Sequence, residues 1–90
     1  MRVARKFVVS GQVQGVGFRF FAHDAARREG LSGHVANQAD GTVEAVAEGD
    51  AEGMERFERA LRRGPARSRV DRVLIDDVVP TSRSAGFEIR

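Results

Sequence analysis

Cysteine is absent from this chain of 90 residues. Disulfides and thiolate metal centres are therefore excluded. Long apolar runs are missing as well. The basic start Met1-Arg2-Val3-Ala4-Arg5-Lys6 is followed by an apolar run of only Phe7 to Val9. That falls short of the about 7–15 residues of a signal-peptide core and of the roughly 18 residues of a membrane span. A soluble cytoplasmic protein with no membrane partner is expected. No internal repeat, low-complexity tract or linker interrupts the chain, so residues 1–90 are expected to form a single domain. A domain of this size buries roughly 60–70% of its unfolded surface, enough for one core.

Blocks of like charge are also missing. The 15 basic and 13 acidic residues are interspersed and give a formal charge of +2, with Lys6 the only lysine. This reads first as solvated surface, then as steering of a small anion, and only last as a nucleic-acid footprint. Histidine is limited to His23 and His34. Neither has a serine or carboxylate partner at a recognisable spacing for nucleophilic catalysis, and two imidazoles are too few for a zinc site. No metal and no cofactor are expected. The six aromatic residues Phe7, Phe18, Phe20, Phe21, Phe57 and Phe87 read as core positions.

What the chain does contain is a concentrated glycine run, Gly11-Gln12-Val13-Gln14-Gly15-Val16-Gly17-Phe18-Arg19. It lies between the β-branched stretch around Val8 and Val9 and a helical pattern beginning at Phe18. Glycine permits positive φ and close backbone approach. A glycine-rich turn leading into a helix can aim several N–H groups at one point, and the helix start adds open N–H groups and partial positive charge. Arg19, in the first helical turn, supplies a planar fork of donors. The run departs from the Walker A pattern and from the dinucleotide fingerprint in spacing and in the residues after the last glycine. On these residues alone it is either an anion site or a flexible turn with a surface arginine.

Periodicity orders the rest. Val3 to Ser10 alternates as a strand, with Val3, Phe7 and Val9 on one face. Phe18 to Glu29 reads as a helix with the apolar stripe Phe18, Phe21, Ala22, Ala25 and Ala26, closed by Gly30. Ser32 to Gln38 and Thr42 to Glu48 are strands around the turn signal Asp40-Gly41. Asp50 is placed to cap a second helix running to Arg63, with Met54, Phe57, Ala60 and Leu61 inward. Glu52–Arg56, Glu55–Arg59 and Glu58–Arg62 stand at the i,i+4 spacing of helical ion pairs. Gly64-Pro65 ends that helix, Arg69 to Val79 reads as a strand, and Phe87 to Arg90 as a short last one. The order predicts an α+β, ferredoxin-like βαββαβ sandwich with two helices on one face of an antiparallel sheet, plus the short terminal strand. The third strand then separates the first and second, so the glycine loop and the end of the second strand meet at one edge. Asn37, the only asparagine, sits at that edge, as turn chemistry or as a functional amide.

The glycine run resembles the first signature of the acylphosphatase family, G-x-V-Q-G-V-x-F-R, at every fixed position. Gly33-His34-Val35-Ala36-Asn37 followed by Gly41-Thr42-Val43 and Gly49 is similar to the second signature. His34 stands where that family usually has Trp, Tyr or Phe. Gly64-Pro65 and the ending Gly86 to Arg90 add to the resemblance, which spans essentially the whole chain. It implies hydrolysis of the carboxyl-phosphate bond of a small-molecule acyl phosphate by a monomer. By that resemblance Arg19 and Asn37 are the catalytic residues, and Gln14, Gly15, Val16, Gly17, Phe18 and Arg19 bind the phosphate. The alternatives are a non-catalytic ferredoxin-like module that binds an anion or RNA, and a regulatory or carbamoyl-phosphate-handling module. The RNA reading needs aromatics on a central strand, and Thr42 to Glu48 has none.

Overall fold

A computed structural model describes residues 1–81 and 86–90. Its elements are β1 (Arg2–Gln12), α1 (Phe18–Arg28), β2 (Ser32–Asn37), β3 (Val43–Asp50), α2 (Ala51–Arg63), β4 (Arg69–Val78) and β5 (Phe87–Ile89). The five strands form one sheet in the order β4-β1-β3-β2-β5. The pairs β1–β3, β1–β4 and β2–β3 are antiparallel. This is the expected ferredoxin-like arrangement, with β3 between β1 and β2. β5 joins at the β2 edge and runs parallel to it, so the full sheet is mixed.

The alternation read in the sequence is the burial pattern of the sheet. Phe7 and Val9 of β1, Val43, Ala45 and Ala47 of β3, and Val35 of β2 are buried beneath the helices. β4 is more complicated, because Val70 lies at even spacing while Val73 and Ile75 lie at odd. A bulge at Ser10/Gly11 resolves this: Ser10 pairs with Arg72 and Gly11 with Val70, leaving Asp71 as the extra residue. The face then changes by one position, and all three apolar residues pack on the same core.

Each helix forms where its signals stand. The Asp50 carboxylate accepts a hydrogen bond from Glu52 N–H at 3.1 Å and caps α2. α1 closes with Leu31 N–H donating to the Ala26 carbonyl and Gly30 N–H to that of Arg27. Met54, Phe57 and Leu61 of α2 are fully buried, and Phe57 meets Phe7 edge-on at 5.4 Å and Phe87 at 6.0 Å. Such ring pairs contribute about 0.5–1.5 kcal/mol beyond their burial.

Two side-chain expectations are corrected. Phe20 is 63% exposed and is not core. Two residues along a helix turn it about 200° from Phe18, so it points away from the stripe of Phe18, Ala22, Ala25 and Ala26 that faces the sheet. Of the helical ion pairs, Glu58–Arg62 forms at 3.0 Å. Arg56 instead reaches across to Glu29 at the end of α1, at 2.7 Å. That contact ties the two helices together, whereas a pair with Glu52 would only have supported α2.

Candidate active site

The glycine run becomes a loop held at both ends. Val13, at its start, and Phe18, the first residue of α1, are almost fully buried in the core. Val16 packs partly against the same core. Between these anchors Gly15 and Gly17 take left-handed φ values of 75° and 79°. A side chain at either would cost about 1–3 kcal/mol. The turn they produce brings the chain into α1 with Gly17 as its cap and no side chain over its N-terminus.

That leaves donors uncovered. The first helical hydrogen bond runs from Phe21 N–H to the Gly17 carbonyl, at 3.0 Å, so the N–H groups of Phe18, Arg19 and Phe20 have no intrahelical partner. Those of Gly15, Val16 and Gly17 donate to no other described residue. The first turn of α1 holds no acidic residue to offset the positive end of the helix dipole. A run of open N–H groups at such a helix start is suited to a phosphate-sized anion.

A cleft of about 90 Å³ opens at this point, lined by Val13, Gly15, Gly17, Phe18, Arg19, Phe20 and Asn37. Asn37 arrives from the far side of β3, as the last residue of β2 paired to Val43. The parallel course of β1 and β2 puts the loop and Asn37 at the same sheet edge. The hairpin turn beyond Asn37 does not use it as a cap. There Asp40 accepts from Thr42 N–H at 3.0 Å and from Thr42 Oγ1 at 2.7 Å. Those two bonds hold the Asp40 carboxyl below its ordinary range. The Asn37 side chain is exposed and hydrogen-bonds to no described residue.

Gln14 and Val16 lie outside the lining of the cleft. The Gln14 side-chain amide donates to the carbonyls of Gln38, at 2.8 Å, and Thr42, at 2.9 Å. It thereby fastens the loop to the hairpin that carries Asn37. Arg19 is fastened too: its Nη1 donates to the Arg90 backbone oxygen at 3.1 Å, leaving the other guanidinium N–H groups available. Sequence reasoning did not find this contact, because a backbone oxygen leaves no residue signature. It also passed over Val13 and Phe20 as cleft residues. His34 stays apart from the cleft, on the open face of the sheet, and its pKa is lowered, chiefly by burial and then by the nearby Arg90 charge. Among the described residues no group of His, Asp and Glu could hold a metal ion, and no helix is long and apolar enough to cross a membrane.

Comparison with known proteins matches these features to one family. The family model described as Acylphosphatase matches residues 5–89. The acylphosphatase of Koribacter versatilis is 44% identical over 85 residues, covering 94% of this chain and 77% of its own. The crystal structure of acylphosphatase from Bacillus subtilis superposes with a TM-score of 0.94 at 33% identity, covering 100% of this chain and 99% of that one. An acylphosphatase from Coxiella burnetii superposes at 0.93 with 31% identity, over 99% of this chain and 93% of that one. Sequence signatures, strand order and neighbours agree, and the chain belongs to the acylphosphatase family.

Proposed function

We propose that this protein hydrolyses acyl phosphates, R–CO–O–PO₃²⁻, to the carboxylate and inorganic phosphate, by in-line attack of a water oriented by Asn37. The backbone N–H groups of the Gln14 to Arg19 loop hold the phosphoryl oxygens, and the Arg19 guanidinium binds two of them. Phosphoryl transfer spreads charge over the equatorial oxygens, and fixed donors stabilise that charge without reorganising. The leaving carboxylate is a weak base and needs little protonation. The nucleophile is the part that must be placed. The substrate's own phosphate oxygen accepts the water's proton. The observation that carries this reading is the shared cleft: open N–H groups, Arg19 and a side-chain amide with no structural task all line it.

As part of the same reading the protein works as a monomer in the cytoplasm on a small molecule, without nucleic acid. In support, the open face of the sheet at β3 presents Glu44 and the buried Glu48 and no aromatic residue. RNA-binding modules of this fold need stacking rings there.

The direct test is phosphate release from benzoyl phosphate by the purified protein. Activity is expected to survive exhaustive dialysis against EDTA, because the proposed donors are backbone, arginine and asparagine. A loss restored only by a divalent ion would refute the metal-free mechanism.

Gln14→Ala should weaken both the fold and the site. Each lost hydrogen bond contributes about 0.5–1.5 kcal/mol. The freed carbonyls keep other donors, since Gly41 N–H still reaches Gln38 O and Gln38 N–H still reaches Thr42 O. The expected cost is therefore about 1 kcal/mol, a fall in Tm of about 4–8 °C. kcat should drop along with it, because the loop and Asn37 lose their mutual register. A thermal melt and a kcat measurement on one preparation check both.

A further inference from the structure

The cleft that holds Arg19 and Asn37 measures about 90 Å³. That is well below the about 300–1,000 Å³ of pockets that enclose a whole drug-sized ligand. Any sizeable acyl substituent must leave the cleft through its mouth and lie on the adjoining surface.

Phe20 forms that mouth. Both Phe18 and Phe20 line the cleft, but Phe18 is 2% exposed and Phe20 is 63% exposed. Phe18 is thus floor and Phe20 is rim. Among the described residues Phe20 is the only strongly exposed aromatic. Phe7, Phe18, Phe57 and Phe87 are buried, and Phe21 packs partly on the core. Its place on α1, turned away from the sheet, gives it no packing task. A single exposed apolar residue is ordinary on a protein surface. One that follows the anion-binding arginine directly and lines the same cleft has a use.

We infer that Phe20 is the platform on which the acyl substituent rests, and that the site favours acyl phosphates with an aryl or branched apolar acyl group over acetyl phosphate. This rests on the proposed acyl-phosphate hydrolysis. A flat ring offers dispersion and offset stacking to an aryl group, whereas an acetyl methyl covers little of it. The chemistry occurs at phosphorus, so the acyl substituent touches Phe20 equally in ground and transition states. Its contribution belongs in KM and not in kcat.

The experiment measures kcat and KM for benzoyl phosphate and for acetyl phosphate, and the inhibition constant of inorganic phosphate, in wild type and Phe20→Ala. The KM for benzoyl phosphate should rise about tenfold. The benzoyl-to-acetyl ratio of kcat/KM should fall by the same factor, and phosphate inhibition should move by less than about twofold. Because no cavity is opened, Tm should stay within about 3 °C of wild type. An unchanged ratio, whether both substrates lose or neither does, would overturn the inference. So would a collapse of phosphate inhibition, which would put Phe20 in the phosphate cradle, or a large fall in Tm, which would make it structural. A wild-type protein that hydrolyses neither substrate would instead defeat the proposed function and take this inference with it.

Discussion

Asn37→Ala is expected to lower kcat for acyl-phosphate hydrolysis by about 10²- to 10³-fold while inorganic phosphate still inhibits with a nearly unchanged constant. The amide is assigned to the attacking water and not to the phosphate. Losing it should therefore reduce kcat and kcat/KM together, as an interaction made only in the transition state does. The fold should hold. Asn37 is exposed at the end of β2, and the neighbouring turn is capped by Asp40 through Thr42. The measurement combines kcat, the phosphate inhibition constant and Tm. A kcat near wild type would reduce Asn37 to a strand-end residue. A collapse of phosphate affinity would make it a ligand to the anion, with the water held by another group.

Arg19→Ala should abolish turnover and weaken phosphate inhibition as well, because its fork is proposed to contact the anion before and during the reaction. Loss of one fixed donor in comparable sites costs about 2.7–4 kcal/mol. Arg19→Lys is not expected to recover it. A lysine ammonium is a compact point charge and cannot present two parallel N–H groups to two oxygens. Nor can it keep a hydrogen bond to the Arg90 oxygen at 3.1 Å while reaching the cleft in bidentate fashion. The two variants separate charge from geometry: near-normal activity in the lysine form would show that charge suffices. Set beside Asn37→Ala, they also separate binding from attack, since only the arginine variants should lose phosphate inhibition.

The parts of this structure that were legible in the sequence are those governed by local rules. Alternation placed β1 to β4, the Phe18–Ala26 stripe placed α1, and Asp50 marked the start of α2 within a residue. Arg19 and Asn37 were singled out because they stand in motifs, and the topology implied that their edges coincide. What was not legible depends on partners distant in the chain. Phe87 to Ile89 is too short to declare its direction, and its parallel pairing with β2 follows from where the chain re-enters the sheet. The bulge at Ser10/Gly11 is visible only once Asp71 is left over opposite it. Gln14 reads as one more residue of the loop until its amide is found on the hairpin carbonyls. Arg56 had two acids within reach, and helix spacing pointed to Glu52. The packing of α1 beside α2 settled on Glu29. Phe20 was misread for a related reason, because composition favours burying a phenylalanine and only its angle on the helix sends it outward.

The hydrogen bond between Arg19 and the Arg90 oxygen spans 71 positions of the chain. Synthesis proceeds at about 5–20 residues per second, so 71 residues separate the two by roughly 4–14 s. Throughout that interval the residues of the glycine loop and of the start of α1 are already made, but the oxygen that meets the arginine fork is not. The loop proposed to bind the anion is thus among the first parts of the protein to be made, and its arginine rests on one of the last. A growing chain that stops short of β5 could build the sheet from β4 to β2 and would carry Arg19 and Asn37 without the oxygen that the arginine meets.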